Sequence, residues 1–238
     1  MQFSAQKEIC LKKADLSKKG SVDSRISDLV NVLNSHPSYF TTSSCSGRAI
    51  IFTSSDVKKK GCSWIFVSHD QVSSKEIINS LKSHSGSAVL KFEPFILHVQ
   101  CSTIADAQKM HALSIQSGFR NSGFSIGRSG KIILAVRSTL ALEVPISSEG
   151  CLLVSSEYIA YIVDNLNQKM EENWQRTQRF YLNIQASFSE KENMQLVLAK
   201  EKASKQLRSQ VNKEPKYKSP SPVSFDSFCD GFENLLKN

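Results

Sequence analysis

A run of small polar side chains, set between aromatic and apolar neighbours, constrains the fold of this chain more than any other feature. Residues 42–46 supply five consecutive hydroxyl or thiol side chains. Such side chains add little to a core, and serine and threonine disfavour helix because they compete for backbone hydrogen bonds. The aromatic pair 39–40 precedes the run and the apolar segment 49–52 follows it. We therefore predict a polar loop held on a rigid frame.

The end of this polar segment has the residue types of a ligand-binding loop. Gly47 permits close approach of the backbone to a ligand, and Arg48 provides a fixed fork of hydrogen-bond donors. An anionic or polar ligand suits both features. A serine-rich β-turn that binds no ligand is the alternative interpretation.

The first half of the chain contains patterns of two helices and a hairpin. Asp23 is a candidate N-cap for a helix that ends before Pro37. Residues 48–53 and 63–69 have the composition of strands, and a lysine-rich turn at 58–61 would join them into a hairpin. Ser73 and Glu76 form a capping box for the second helix.

The second half repeats this order. Residues 103–117 have a helical pattern, and the polar segment 119–124 precedes strand-like residues 131–137 and 142–146. Pro94 interrupts the strand-like stretch between the halves, so it should lie at a strand break or an edge. The order helix, polar loop, strand, strand thus occurs twice, which suggests a duplicated unit.

A long helix is expected from Ser155, because apolar residues recur there every three or four positions. We therefore predict an α+β fold of the non-Rossmann type, with a mixed β-sheet packed against helices and a long C-terminal helix. The catalytic domain should span 1–199, and the Lys-, Ser- and Pro-rich residues 200–238 should be a disordered tail.

Composition excludes several classes of protein. The six cysteines are scattered without a C-x-x-C pair, which argues against zinc ribbons and disulfide frameworks. The chain has no G-x-G-x-x-G after a strand, no P-loop and no spaced metal-ligand cluster, so neither a Rossmann cofactor nor a metal is expected. Without an apolar stretch of membrane-spanning length, a cytoplasmic location is expected. The net charge of +8 points modestly to a polyanionic partner.

Three polar residues are candidates for acid–base chemistry. His69 and Asp70 follow an apolar strand together, and His98 lies within an apolar strand where its charge state can be tuned. A core histidine bonded to a backbone carbonyl is an equal alternative for His98. Cys45 with His98 could be a thiol nucleophile and its base, but no local sequence signature supports that pair.

Five blocks, in this order, resemble a known family. They are residues 15–23, 39–48, 64–70, 93–99 and 118–123. The family is that of the wybutosine-synthesizing tRNA methyltransferases, the third enzyme of that pathway. The Ser-Cys-Ser-Gly-Arg sequence within the second block is its most specific part.

The resemblance implies an enzyme that uses S-adenosylmethionine to methylate N4 of 7-aminocarboxypropyl-demethylwyosine. This base lies 3′ of the anticodon of phenylalanine tRNA, so the anticodon stem-loop is the implied partner. Other enzymes of the wybutosine pathway are candidate partners. The resemblance also implies an α+β fold unlike that of Rossmann methyltransferases.

Site roles can be assigned as hypotheses under this resemblance. His98, Asp70 or His69 would accept the proton that N4 loses. Cationic groups would bind phosphates and Tyr39 or Trp64 would stack on the base. The candidate cofactor-binding residues are Ser43, Ser44, Cys45, Ser46, Gly47 and Arg48. The candidate substrate-binding residues are Lys18, Lys19, Tyr39, Trp64, Glu93, Arg120 and Ser122.

Two alternative functions come from other classes. The first is a tRNA-binding module without catalysis, and the second is a thiol-dependent hydrolase that uses Cys45. Methyl incorporation from a labelled donor distinguishes the first, and replacement of Cys45 by serine distinguishes the second.

Overall fold

A computed structural model describes residues 2–13, 20–53, 64–82 and 84–211 of the chain. It describes the side chains only as far as residue 190. The predicted lysine-rich turn and the candidate residues Lys18 and Lys19 lie outside this part of the chain. No helix within it is both long enough and apolar enough to span a membrane.

The chain divides into two compact units, Met1–Ser189 and Glu190–Asn238. The first unit contains the whole β-sheet. The last helix continues as far as Val211, and the residues after it lie outside the described part. The domain boundary expected at 199 therefore stays a prediction.

The described residues form an α+β fold, as predicted. The helical elements are α1 (Phe3–Leu11), a 3-10 turn (Ser24–Ile26), α2 (Ser27–Ser35), α3 (Ser74–Leu81), α4 (Ile104–Gln116) and α5 (Ser156–Val211). The strands are β1 (Tyr39–Thr53), β2 (Trp64–Ser68), β3 (Ala88–Cys101), β4 (Gly123–Ile126), β5 (Ile132–Arg137), β6 (Leu142–Ser148) and β7 (Cys151–Leu152).

The strands form one antiparallel sheet with β3 at its centre. Its main order is β2-β1-β3-β5-β4, while β6 pairs with β3 and β7 pairs with β6. One edge of β3 pairs with β6 through Phe92 and with β5 from Ile96 onwards. Pro94 lies at this change of partner, where neither strand pairs with it, which fits its lack of an N–H.

The predicted polar loop is wrong in its secondary structure. The hydroxyl-rich run lies inside β1, which extends for 15 residues and pairs with β3 from Tyr39 to Thr53. Low intrinsic strand preference is outweighed here because β3 supplies hydrogen-bond partners along almost the full length of the run. The run is therefore held by a sheet rather than suspended between elements.

Two groups of buried side chains form the core between the sheet and helices α2 to α5. One joins α2, α4 and the second half of β3, and the other joins α3, β6 and the first half of β3. Helix α5 contributes Phe180 to the first group and Leu166 to the second. The predicted apolar stripe on α5 is thus a packing surface that connects both parts of the sheet.

Other local predictions fared unequally. The capping box of Ser73 and Glu76 is present at the start of α3. Asp23 precedes the 3-10 turn as expected, but its side chain makes no capping hydrogen bond. The order helix, strand, strand recurs as α2-β1-β2 and α4-β4-β5. The copies differ, because β1 lies beside the central strand whereas β4 forms an edge.

Candidate active site

One face of β1 and β3 carries polar side chains that oppose each other across the strand pair. Ser43 is opposite His98 and Arg48 is opposite Glu93. Leu97, which alternates with His98, is fully buried in the core, so His98 lies on the other side of the sheet. We call this surface, defined by Ser43, Arg48, Glu93 and His98, the polar face.

His98 is held in a defined position on the polar face. Its Nδ1 lies 2.8 Å from the Ser43 hydroxyl oxygen. Partial burial, and then the nearby guanidinium of Arg137, lower the pKa of the His98 imidazole below its usual value. The ring is therefore neutral at physiological pH and can accept a proton. His98 contacts a hydroxyl group and is only partly buried. It is therefore not the fully buried, carbonyl-bonded core histidine of the alternative interpretation.

Arg48 is fixed by two neighbours at the other end of this face. Its Nε lies 2.9 Å and its Nη2 2.7 Å from one carboxylate oxygen of Glu93. Its guanidinium also stacks over the Trp64 ring, 4.3 Å from the ring centre. These contacts orient the guanidinium before any ligand arrives.

The outer edge of β1 is closed by side chains instead of a strand. β2 pairs only with residues Ala49 to Phe52, and the backbone N–H of Ser46 donates to the buried Asp23 carboxylate at 2.9 Å. His69 Nδ1 lies 3.0 Å from the Gly47 carbonyl oxygen. The Asp23 side chain, assigned to a helix cap by its sequence position, thus supports the Ser-Cys-Ser-Gly-Arg sequence at residues 44–48, which we call the signature segment.

Asp23, Cys45 and His69 also bring one potential metal-ligand atom each to within 4.8 Å of one another. Their separation in sequence is too large for a spacing argument to have found this group. The carboxylate of Asp23 and Nδ1 of His69 already contact the backbone of β1, so the arrangement is explained without an ion. Absence of a metal stays a prediction.

His69 and Asp70 leave the end of β2 together, as expected, but point to different partners. Asp70 Oδ1 accepts from Arg25 Nη2 at 2.7 Å, and its side chain is 72% exposed. Asp70 is thus engaged in an ion pair and His69 contacts a backbone carbonyl, whereas His98 contacts a hydroxyl group on the polar face.

A cavity of about 470 Å³ lies between the 3-10 turn and α5. Ser46 contributes to its wall from β1. The Arg25 guanidinium lies 3.7 Å from the centre of the Trp174 ring. The remaining lining residues are Ile26, Glu171, Gln175, Thr177 and Gln178. The cavity thus joins the signature segment to polar side chains of two helical elements.

Asn173 of α5 repairs a gap in the pairing of β1 with β3. Its Oδ1 accepts from the backbone N–H of Phe95, and its Nδ2 donates to the Ser46 carbonyl, both at 2.8 Å. A regular antiparallel pair would join those two backbone groups directly. Gly47 is required beside it, because its φ is +102° and an added Cβ would lie 2.8 Å from Asn173 Nδ2.

Several predicted substrate residues occupy other places. Tyr39 is fully buried, and its hydroxyl donates to the Asp106 carbonyl, so no face of this ring is open to a base. This position disagrees with the stacking role given to Tyr39. Arg120 is exposed, and the Ser122 hydroxyl accepts from the backbone N–H of Arg137 at 3.1 Å. Ser122 therefore positions the strand that carries Arg137.

Cys45 lacks the setting of a nucleophile. Burial raises the pKa of its thiol, and this effect exceeds the opposing influences of the Gly47 hydrogen bond and Arg48. Catalytic cysteines instead have a lowered pKa, because the thiolate is the reacting form. The site geometry thus disfavours a thiol-dependent hydrolase.

Sequence reasoning did not find Arg25, Arg137 and Asn173 as site residues, nor a role for Trp174 beyond packing. Asn173 had a usable signal, since it is a polar residue within the apolar stripe of α5. Arg25 and Arg137 had none, because isolated arginines near helix and strand ends are common on surfaces.

Comparison with known proteins gives a consistent result. The family model described as Methyltransferase TYW3 matches residues 4–186. The tRNA wybutosine-synthesizing protein 3 homolog of Danio rerio is 50% identical over 194 residues, covering 80% of this chain and 77% of that protein. The homolog of the same name from Homo sapiens is 48% identical over 197 residues, covering 81% of this chain and 76% of that protein.

A solved structure supports the same relationship. The PH1069 protein of Pyrococcus horikoshii superimposes with a TM-score of 0.67 and 32% sequence identity, covering 76% of this chain and 91% of that one. The family match includes the polar face, the signature segment and the cavity lining. The chain therefore belongs to the TYW3 methyltransferase family.

Proposed function

We propose that this protein transfers a methyl group from S-adenosylmethionine to N4 of 7-aminocarboxypropyl-demethylwyosine, 3′ of the anticodon of phenylalanine tRNA. The reaction belongs to wybutosine synthesis, and we place it in the cytoplasm. The family match over residues 4–186 carries this proposal. Other enzymes of the pathway are proposed partners, since the product of one is the substrate of the next.

The polar face supplies the acid–base part of the reaction. S-adenosylmethionine, when bound, supplies an electrophilic methyl group. His98 is kept neutral, so it can accept the proton that N4 loses as the nitrogen becomes methylated. Ser43 fixes the orientation of the imidazole. Alignment of the nitrogen lone pair with the methyl group accounts for much of the expected rate, since proximity effects are large.

The residues present suit a cofactor of this kind. A volume of about 470 Å³ lies within the usual range of small-molecule sites. The wall contains an anionic group in Glu171, a cationic group in Arg25 and hydroxyl groups in Ser46 and Thr177. The six residues from Ser43 to Arg48 remain our proposed cofactor-binding segment, with Ser46 in the cavity wall.

Four cationic residues are proposed to bind the anticodon stem-loop. Arg120 and Arg137 are exposed on the β4–β5 side, and Lys18 and Lys19 are retained as proposals from the sequence. Phosphate contacts of this type set the register of an RNA without reading its sequence. Trp64 is the remaining aromatic candidate for stacking on the base.

One assay tests the proposal against its alternatives. The protein is incubated with labelled S-adenosylmethionine and tRNA from a strain blocked at the preceding modification, and the nucleosides are then analysed. We expect one methyl group on the tricyclic base of phenylalanine tRNA. Binding of this tRNA without methyl incorporation would instead indicate a non-catalytic module.

A further inference from the structure

We propose that the cavity between the 3-10 turn and α5 binds the adenosyl part of the methyl donor. In this assignment the purine lies against the Arg25–Trp174 pair, and the ribose hydroxyls bond to the Glu171 carboxylate. The inference rests on the proposed function, because that function requires an adenosyl donor. It adds residues of α5 and the 3-10 turn to a site otherwise built on strands.

The wall formed by Arg25 and Trp174 suits a planar ring. The Arg25 guanidinium lies 3.7 Å from the centre of the Trp174 ring, so the cation and the indole form a stacked pair. Both groups stack readily on purines. The other contact of Arg25 is an ion pair with the exposed Asp70, and such pairs are weak. Arg25 can therefore adjust to a ligand or uncover the Trp174 ring.

The indole nitrogen of Trp174 is a second feature that points to a ligand in the cavity. Its indole N–H is buried and has no hydrogen-bond partner among the described residues. Buried donors are nearly always satisfied, so an orphan donor beside a cavity calls for an explanation. A purine nitrogen or a ribose oxygen in the cavity is an acceptor of the kind that this donor lacks.

The cavity and the polar face share one strand, β1. Among the described residues, no strand pairs with the outer edge of β1 between Thr42 and Cys45, since β2 pairs with β1 only from Ala49 onwards. Ser46 in the cavity wall follows Ser43 by three residues, so its buried side chain lies on the core side of the sheet, whereas Ser43 and His98 lie on the polar face. A donor with its adenosyl part in the cavity must therefore extend its amino-acid chain and methyl group past the edge of β1 to reach His98.

The two tryptophans of the chain allow a direct test by fluorescence. Trp64→Phe leaves Trp174 as the single reporter, and Trp174→Phe leaves Trp64. Each full-length variant is titrated with S-adenosylhomocysteine, while calorimetry measures its binding to the unaltered protein. We expect a saturable change of emission from Trp174, with a midpoint equal to the calorimetric dissociation constant, and a smaller change from Trp64, which lies outside the cavity.

Substitutions in the wall provide a second measurement. Arg25→Ala and Trp174→Leu should each weaken binding of S-adenosylhomocysteine by about tenfold or more, as expected for loss of a stacking surface. Arg179→Ala, an exposed arginine on the same helix but outside the cavity, should leave the affinity unchanged. Thermal melting of each variant shows whether its fold is retained.

The outcomes separate this inference from the proposed function. The inference would be wrong if calorimetry detects binding of S-adenosylhomocysteine while the emission of Trp174 stays constant and Arg25→Ala binds with normal affinity. The proposed function would be unaffected by that result. A change of Trp174 emission with the anticodon stem-loop but not with S-adenosylhomocysteine would place the nucleobase in the cavity. That result would also contradict the inference. Absence of both binding and methyl transfer would refute the function and the inference together.

Discussion

At the scale of single residues, His98 combines a fixed orientation with a perturbed protonation equilibrium. Ser43 holds its ring at 2.8 Å, and burial together with Arg137 favours the neutral form. These two features suit the proposed role of general base at neutral pH, without a carboxylate partner. The proposed reaction needs such a group only after the nitrogen begins to lose its proton.

The influence of Arg137 on His98 can be measured directly. Because a cation disfavours a second positive charge, Arg137→Gln should raise the pKa of His98 towards its ordinary value near 6.5. Titration of the imidazole by NMR measures the shift. The methyl-transfer rate, which requires neutral His98, should fall on acidification at a higher pH in this variant. Unchanged titration curves would show that Arg137 does not act on His98.

Cys45 provides a second test at this scale. Cys45→Ser should retain methyl-transfer activity within about tenfold, because the buried thiol has a raised pKa and is not used as a nucleophile. Activity assays after alkylation of Cys45→Ser and of the unaltered protein serve as the matched comparison. Complete loss of activity in the serine variant would support thiol chemistry instead.

Residue-level contacts were only partly predictable. The sequence singled out His98 as a polar residue within an apolar strand, and Ser43–Arg48 as a hydroxyl-rich run that was predicted to be a loop. It could not show that Ser43 meets His98, because their contact depends on an irregularity between Thr41 and Ser43 that shifts the register. Asp23 was assigned to the wrong role. Its carboxylate accepts from the backbone N–H of Ser46, which is distant in sequence, and not from the helical turn that follows it.

At the scale of elements, α5 acts as a clamp on the central strand pair. Asn173 spans the gap between Ser46 and Phe95, where β1 and β3 lack a direct hydrogen bond. The site is thereby coupled to a helix that also packs against both parts of the core. This coupling explains how a hydroxyl-rich segment remains ordered within a strand.

Asn173→Ala should destabilise the protein by about 2–4 kcal/mol, because it leaves two buried backbone groups without partners. Chemical denaturation measures the change in the free energy of unfolding. Asn165→Ala is the matched control, since the Asn165 amide only contacts a carbonyl of its own helix at the surface. Equal stabilities for the two variants would contradict the clamp.

Elements with strong local signals were predictable from sequence. The capping box of α3 and the apolar stripe of α5 are determined within a few residues, and both are present. The strand character of residues 42–46 was not predictable, because it comes from pairing with β3, a segment distant in sequence. Helix α1 went unpredicted as well, and none of its residues is buried.

At the scale of the whole molecule, the sheet and its two core groups belong to the unit Met1–Ser189. A chain ended after Ser189 should therefore melt cooperatively within a few degrees of the full-length protein. Differential scanning calorimetry of both chains measures this. A loss of the cooperative transition in the shorter chain would show that residues 190–238 are required for the fold.

The non-Rossmann fold class was predictable because the sequence lacks a glycine-rich cofactor loop and repeats helix and strand patterns. The order of strands was not, since β3 changes partner from β6 to β5 around Pro94. Long-range pairing of this kind leaves little trace in local composition. The cavity beside α5 likewise arises only when the 3-10 turn and α5 are brought together.

We propose that methyl transfer takes place on the polar face with His98 as the proton acceptor. The decisive experiment is single-turnover methyl transfer to the precursor tRNA, compared between the unaltered protein and His98→Gln. We predict a loss of about 10²–10⁴-fold in the rate, the usual contribution of a general base, with unchanged affinity for the tRNA. Equal rates for the two proteins would contradict the claim.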